Sequence, residues 1–212
     1  MRHLSPIDQF IVQSDHALRT VFGKPSVTER DNPANSFKEG ELSEPERKLS
    51  ASLMRVNHAG EVSAQALYQG QALTARLDEV RQSMERAADE ENDHLVWTEQ
   101  RLNELSSHKS LLNPIWYGGS FAIGAIAGLL GDKWSLGFVA ETEHQVIRHL
   151  DSHLEKLPEL DARSEAVLQQ MKIDEAHHAT LALEGGGAEL PWAVKKLMGA
   201  MSKVMTTSAY YL

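Results

Sequence analysis

The stretch at residues 84–105, MERAADEENDHLVWTEQRLNEL, decides the fold. At about 100° per residue, Met84, Ala88, Leu95, Leu102 and Leu105 line one face, the pattern of a helix packed on a core. Glu91 lies at the centre of that stripe, because Met84 and Thr98, seven residues to either side, fall within about 20° of it. His94, three residues on, points the same way. Glutamate is almost never buried unless something neutralises its charge. This helix is therefore expected to face a charged partner rather than a plain apolar core.

Outward from it, the helical period continues and no strand pattern competes, so the chain is all-α. Ser43 with Glu46 has the capping-box form and opens a first helix at about 44–76. The second runs about 77–106, the third about 134–157 and the fourth about 160–184, ending at Gly185, Gly186 and Gly187. A fifth, after Pro191, repeats apolar spacing with several methionines. Three of the four bundle helices carry a glutamate where an apolar residue is expected, and the first carries one beside its stripe. Glu143 lies between Leu136 and Leu150. Glu175 lies between Leu168 and Ala182, with His178 three residues on. Glu61 is one step off the stripe at Gly60, near the arc of Ala64 and Tyr68.

Centred glutamates from several helices need a common partner, and a pair of divalent metals supplies it. Two Glu-x-x-His turns plus one Glu from each remaining helix is the ligand set of a four-helix di-iron or di-manganese carboxylate site. The i, i+3 spacing stacks both side chains of a turn on one helix face, so both reach the same metal. Glu61 lies 30 residues before Glu91, and Glu143 lies 32 before Glu175, so the chain reads as two similar hairpins. Glu91 and Glu175, centred and opposed, are expected to bridge the metals, with Glu61 and His94 completing one and Glu143 and His178 the other. Asp89, Glu90, Asp93 and Asp174 fall off the arc and are expected in solvent, although Glu90 or Asp174 could reach a ligand imidazole across the bundle. His58, His144, His153 and His177 are expected on the surface or around the ligands.

The 212 residues allow one domain, at 43–212, with an N-terminal extension and linker at 1–42. The turn-rich stretch 26–40 reads as linker without chemistry. A hydrophobic fraction of 42% with 24% charged residues excludes disordered, collagen-like and polytopic membrane classes. A net charge of −9 without a basic cluster gives no expectation of a nucleic-acid partner. The absence of cysteine removes thiolate ligands and disulfides. Asp8 and Asp15 interrupt any signal core, so the mature chain is expected to start near Met1.

RVNHAGEVSAQALYQGQ at 55–71, EENDHL at 90–95, ETEHQVIRHL at 141–150 and DEAHH at 174–178 together resemble the demethoxyubiquinone hydroxylase family of ubiquinone biosynthesis. The similarity runs from about residue 50 to the C-terminus. It implies a ferritin-like four-helix bundle with a long crossover between the second and third helices and an additional C-terminal helix. It implies a di-iron monooxygenase that uses O2 to hydroxylate the ring of a demethoxy polyprenyl benzoquinol. Its metal ligands fall on Glu61, Glu91, His94, Glu143, Glu175 and His178, with Tyr68 and His149 beside them. The same ligands would serve an oxygenase or desaturase of another lipid, or a ferroxidase or iron-storage protein.

Residues 110–131, SLLNPIWYGGSFAIGAIAGLLG, contain no charge, but a single crossing here would place Glu61, Glu91 and His94 on the opposite side of a bilayer from the other three ligands. The segment is instead expected to dip into a membrane surface, with the fifth helix, and to give a polyprenyl tail an apolar path; a buried crossover or an oligomer contact is the alternative reading. The expected location is peripheral, on the cytoplasmic, reducing face of a bacterial cell membrane. No GxGxxG follows a strand, so electrons are expected from an external donor. A lipid-presenting accessory protein is a further possible partner.

Overall fold

The computed structural model describes residues 5–23, 29–38 and 40–212. The expected start near Met1 and parts of the 26–40 linker lie outside the described residues. Among the described residues there are seven helices and no strand: α1 (Pro6–Phe22), α2 (Glu44–Thr74), α3 (Asp78–Glu104), α4 (Asn113–Leu129), α5 (Asp132–Leu154), α6 (Ala162–Glu184) and α7 (Trp192–Tyr211), with a 3-10 turn at Pro33–Ser36. The four bundle helices α2, α3, α5 and α6 begin and end within a few residues of the sequence reading, because caps and breakers fix them. Ser43 N–H donates to Glu46 Oε2 at 2.8 Å at the start of α2, and Asp161 accepts from Ser164 N–H at 3.0 Å at the start of α6.

Two apolar clusters fill the bundle. One joins Tyr68, Ala72, Met84, Ala88, Leu136 and Val139; the other joins Met54, Trp97, Leu102, Leu150, Leu168 and Met171. On α2, α3, α5 and α6 alike, the glutamates lie between these clusters, so the charged groups form a layer sealed at both ends by hydrocarbon. Buried Arg101 ties α3 to the start of α6, donating to Asp161 Oδ1 at 2.7 Å and Ser164 Oγ at 2.9 Å.

The crossover is a helix. α4 runs beside α2 in the same direction, with Asn113 near His58, Gly124 on Leu67 and Gly128 on Gln71 and Thr74. At 1.5 Å per residue its 17 residues span about 25 Å, and among the described residues no helix is long and apolar enough to cross a membrane. Pro114 sits harmlessly in the first turn. The glycines of α4 bring two backbones together. A Cβ on Gly124 would lie 2.2 Å from the Leu67 carbonyl oxygen, whereas one on Gly118 would meet nothing within 4 Å. Gly124→Ala is therefore expected to destabilise the chain by about 1–3 kcal/mol through overpacking. Gly118→Ala should be neutral or stabilising, since alanine is the better helix former. Urea midpoints of the two variants check the contrast.

α7 covers the remaining side of α2, where Ala209 packs on Val56 and Ala59. Leu111 N–H donates to the Leu212 carbonyl at 2.9 Å, and Arg55 donates to the Tyr210 and His108 carbonyls at 2.9 and 3.1 Å. α2 is thus buried nearly all round. Its second face carries alanine, glycine and glutamine, which match close-packed neighbours but do not register as an apolar stripe. For the same reason His58 is buried under α4 rather than on the surface, and burial, followed by Lys109, lowers its pKa to about 3. His153 is buried too, against His149, whereas His144 and His177 are exposed.

α1 was missed. Its signal is present, because Ser5 and Asp8 with Pro6 between them repeat the capping arrangement of Ser43 and Glu46, and both reciprocal bonds form.

Candidate metal centre

α2, α3, α5 and α6 bring all six expected residues into the sealed layer: Glu61, Glu91, His94, Glu143, Glu175 and His178 are each at most 5% exposed. The two imidazoles are placed alike. His94 Nδ1 lies 2.9 Å from Glu91 Oε2, 3.4 Å from Glu175 Oε1 and 3.5 Å from Glu61 Oε2. His178 Nδ1 lies 3.2 Å from Glu175 Oε2 and 3.4 Å from Glu91 Oε1. Each inner nitrogen therefore meets both central carboxylates, one oxygen from each. Glu61, Glu91, His94 and Glu175 offer four ligand atoms within 4.8 Å of one another, a group that could hold a metal ion. Glu143 adjoins the other imidazole's side of the layer, with one oxygen accepting a short hydrogen bond from Tyr68. The Tyr68 and His178 rings meet edge to face at 6.3 Å.

As protein groups alone these residues frustrate one another. Burial first, then Glu91 and Glu175, push Glu61 and Glu143 well above the usual carboxylate range. Burial also opposes ionisation of Glu91, but His94 and His178 hold it well below that range. His94 is raised well above an ordinary imidazole because Glu91, Asp174, Glu175 and Glu61 outweigh its own desolvation. A cation bound among these groups would compete with protons for the same oxygens and nitrogens. Glu91 Oε1 and Glu143 Oε2 are buried without a hydrogen-bond donor among the described residues. Such orphaned oxygens are costly in protein and natural as ligands. Carboxylate and imidazole also suit iron or manganese.

The outer nitrogens are held across the bundle. His94 Nε2 lies 2.9 Å from Asp174 Oδ2, and His178 Nε2 lies 2.6 Å from Glu90 Oε2. Each imidazole is met by the acidic residue immediately before the other turn's glutamate, so the repeated unit is acid-Glu-x-x-His rather than Glu-x-x-His. The expectation of solvated Glu90 and Asp174 gives way to the imidazole contact. Asp93, also expected in solvent, is buried and accepts from Arg30 Nε at 2.8 Å. Only Asp89 of the four is exposed.

His149 lies elsewhere. Its ring centroid is 3.9 Å from that of His153, and it lines a cavity of about 600 Å³ between α5 and α7, together with Glu141, Arg148, Lys195 and Lys203. None of the six candidate ligands lines that cavity. Between α2 and α5, Ala64, Leu67, Tyr68, Val139 and Thr142 close over Glu143, leaving no room for a water molecule.

Fold and site together define a class: helical bundles whose core carries a buried carboxylate and histidine layer that could hold metal. The family model described as "Ubiquinone biosynthesis protein COQ7" matches residues 48–209, and the chain belongs to that family. A protein of Nitrosococcus oceani named 3-demethoxyubiquinol 3-hydroxylase is 65% identical over 211 residues, covering 100% of this chain and 99% of that protein. Proteins with the same name from Nitrosospira multiformis and Acinetobacter baumannii are 60% and 57% identical, covering 97% and 100% of this chain and 99% and 100% of theirs.

Proposed function

We propose that this chain is a di-iron monooxygenase that hydroxylates the ring of a demethoxy polyprenyl benzoquinol in ubiquinone biosynthesis. The observation that carries the reading is the convergence of four buried carboxylates and two Nδ1 atoms on one layer. The chain around that layer matches named 3-demethoxyubiquinol 3-hydroxylases over essentially its whole length. Those names favour a quinol hydroxylase over a ferroxidase or a desaturase of another lipid.

In this reading Glu61, Glu91, His94, Glu143, Glu175 and His178 would hold two irons, Glu91 and Glu175 being central to both halves, Glu61 and His94 belonging to one and Glu143 and His178 to the other. The iron pair supplies activation of O2, one atom of which ends as the ring hydroxyl and the other as water, with two electrons from an external donor. The protein's own work is positioning. Tyr68 fixes one oxygen of Glu143. Asp174 and Glu90 fix the outer nitrogens so that Nδ1 faces inward. The two apolar clusters keep bulk water from the layer.

The substrate's polyprenyl tail argues for a peripheral place on the cytoplasmic face of a bacterial cell membrane. The outer side of α4 supports it, with Ile115 63% and Ile126 57% exposed on a helix without charge. Trp192, Leu197 and Val204 of α7, with Ile11 and Leu18 of α1, add to the exposed apolar surface, and the α7 lysines suit a headgroup region.

The test is the quinone profile of cells lacking this chain. Accumulation of the demethoxy quinone, reversed by the wild-type chain, is the expected result; an unchanged profile removes the quinol from the proposal.

A further inference from the structure

Two chains of contacts leave the candidate metal centre and end on consecutive residues of a segment that precedes the family-matched region. In the first, Asp174 Oδ2 lies 2.9 Å from His94 Nε2 and accepts from Arg30 Nη1 at 2.8 Å, so imidazole and guanidinium grip one oxygen. Arg30 Nε also donates to Asp93 at 2.8 Å, bridging α3 and α6. Its guanidinium lies 4.9 Å from the centroid of the Trp97 ring, which itself packs against His94. In the second, Glu90 Oε2 lies 2.6 Å from His178 Nε2, Arg86 Nε donates to Glu90 Oε1 at 2.9 Å, and both Arg86 terminal nitrogens donate to the Glu29 carboxylate at 2.7 Å. Glu29 N–H meanwhile donates to Asp93 Oδ1 at 2.8 Å.

We propose that the stretch around Glu29 and Arg30 is a built part of the metal centre, in which these two residues are positioning residues for its two halves: Arg30 for the half containing His94, Glu29 for the half containing His178. The inference rests on the metal-centre reading and adds to it a segment outside residues 48–209.

Magnitudes separate this role from simple stapling. The Arg86–Glu29 pair is open to water, with side chains 53% and 40% exposed, and adds little to fold stability; Arg30 is 39% exposed but also compensates Asp93, which is buried. The segment has its own anchors, since Ala34 is buried in the cluster containing Trp97 and Asn32 Nδ2 donates to Gln100 at 2.8 Å. What Arg30 and Glu29 govern is where two carboxylates point, and through them which way the imidazoles face. The loss of such outer partners weakens metal sites by about ten- to a hundredfold. The planar fork of arginine can bridge Asp93 and Asp174 together; a lysine ammonium cannot reproduce that geometry.

The test is Co(II) titration of the full-length metal-free chain, read by visible absorption, for wild type, Arg30→Gln, Arg30→Lys and Glu29→Ala, with Lys172→Gln as a charge control on the surface of α6. Wild type and the control are expected to bind two Co(II) alike. Arg30→Gln should weaken one of the two about tenfold and alter its absorption bands, and Glu29→Ala should do the same to the other, with the melting midpoint of the metal-free Glu29→Ala chain little changed. If Arg30→Gln does not fold, Arg30→Lys, which keeps the charge, still reports on the fork and is also expected to bind one Co(II) more weakly. Wild-type affinity and spectrum in the folded Arg30 and Glu29 variants would overturn the inference while leaving the metal centre intact. A wild-type chain that binds no Co(II) would remove the metal reading and this inference with it.

Discussion

Glu91→Ala is expected to strip the chain of most of its iron and abolish turnover, whereas Glu90→Ala should keep both irons and part of the activity. The two residues are neighbours of the same type and differ in direction. Glu91 is fully buried and lies against both imidazole Nδ1 atoms, so its removal takes an oxygen from each half of the centre. Glu90 is partly exposed and touches only the outer nitrogen of His178 and Arg86. Its loss frees one imidazole to rotate, an effect of about ten- to a hundredfold. Iron content and turnover, with circular dichroism to confirm folding, separate the two. Equal behaviour, or an essential Glu90, would contradict the assignment of the inner layer.

The second large effect concerns α4. Ile115→Asp combined with Ile126→Asp removes two exposed apolar side chains and adds two charges to a helix that has none. Burial of one such side chain is worth about 1.5–3 kcal/mol, so binding to anionic phospholipid vesicles is expected to fall by more than about a hundredfold. Iron content should be unchanged, because neither residue faces the bundle. Unchanged vesicle sedimentation would instead mark α4 as a contact between chains.

The bundle was legible because a glutamate at the centre of an apolar stripe breaks the rule that makes the stripe. Met84, Glu91 and Thr98 announce both the helix and its need for a cation. Glu90 and Asp174 were harder, since their use depends on which helix stands opposite, and helical period alone cannot supply that. Asp93 was misplaced for a related reason: the arginine that buries it comes from a stretch with no period, read as linker. α4 was obscured by its glycines, which look like turn residues until Leu67 and Thr74 of α2 are seen to occupy the space where their side chains would be. His149 has a different setting from the six. It shares a segment with Glu143 but faces the α5–α7 cavity.

The most direct measurement is the iron content of the purified, full-length, folded chain from iron-replete cells, set against its hydroxylase turnover. About two irons per chain, with activity lost on chelation and regained with ferrous iron, is the expected result. A folded chain that hydroxylates the quinol with no bound metal would contradict the claim that Glu61, Glu91, His94, Glu143, Glu175 and His178 form a di-iron centre.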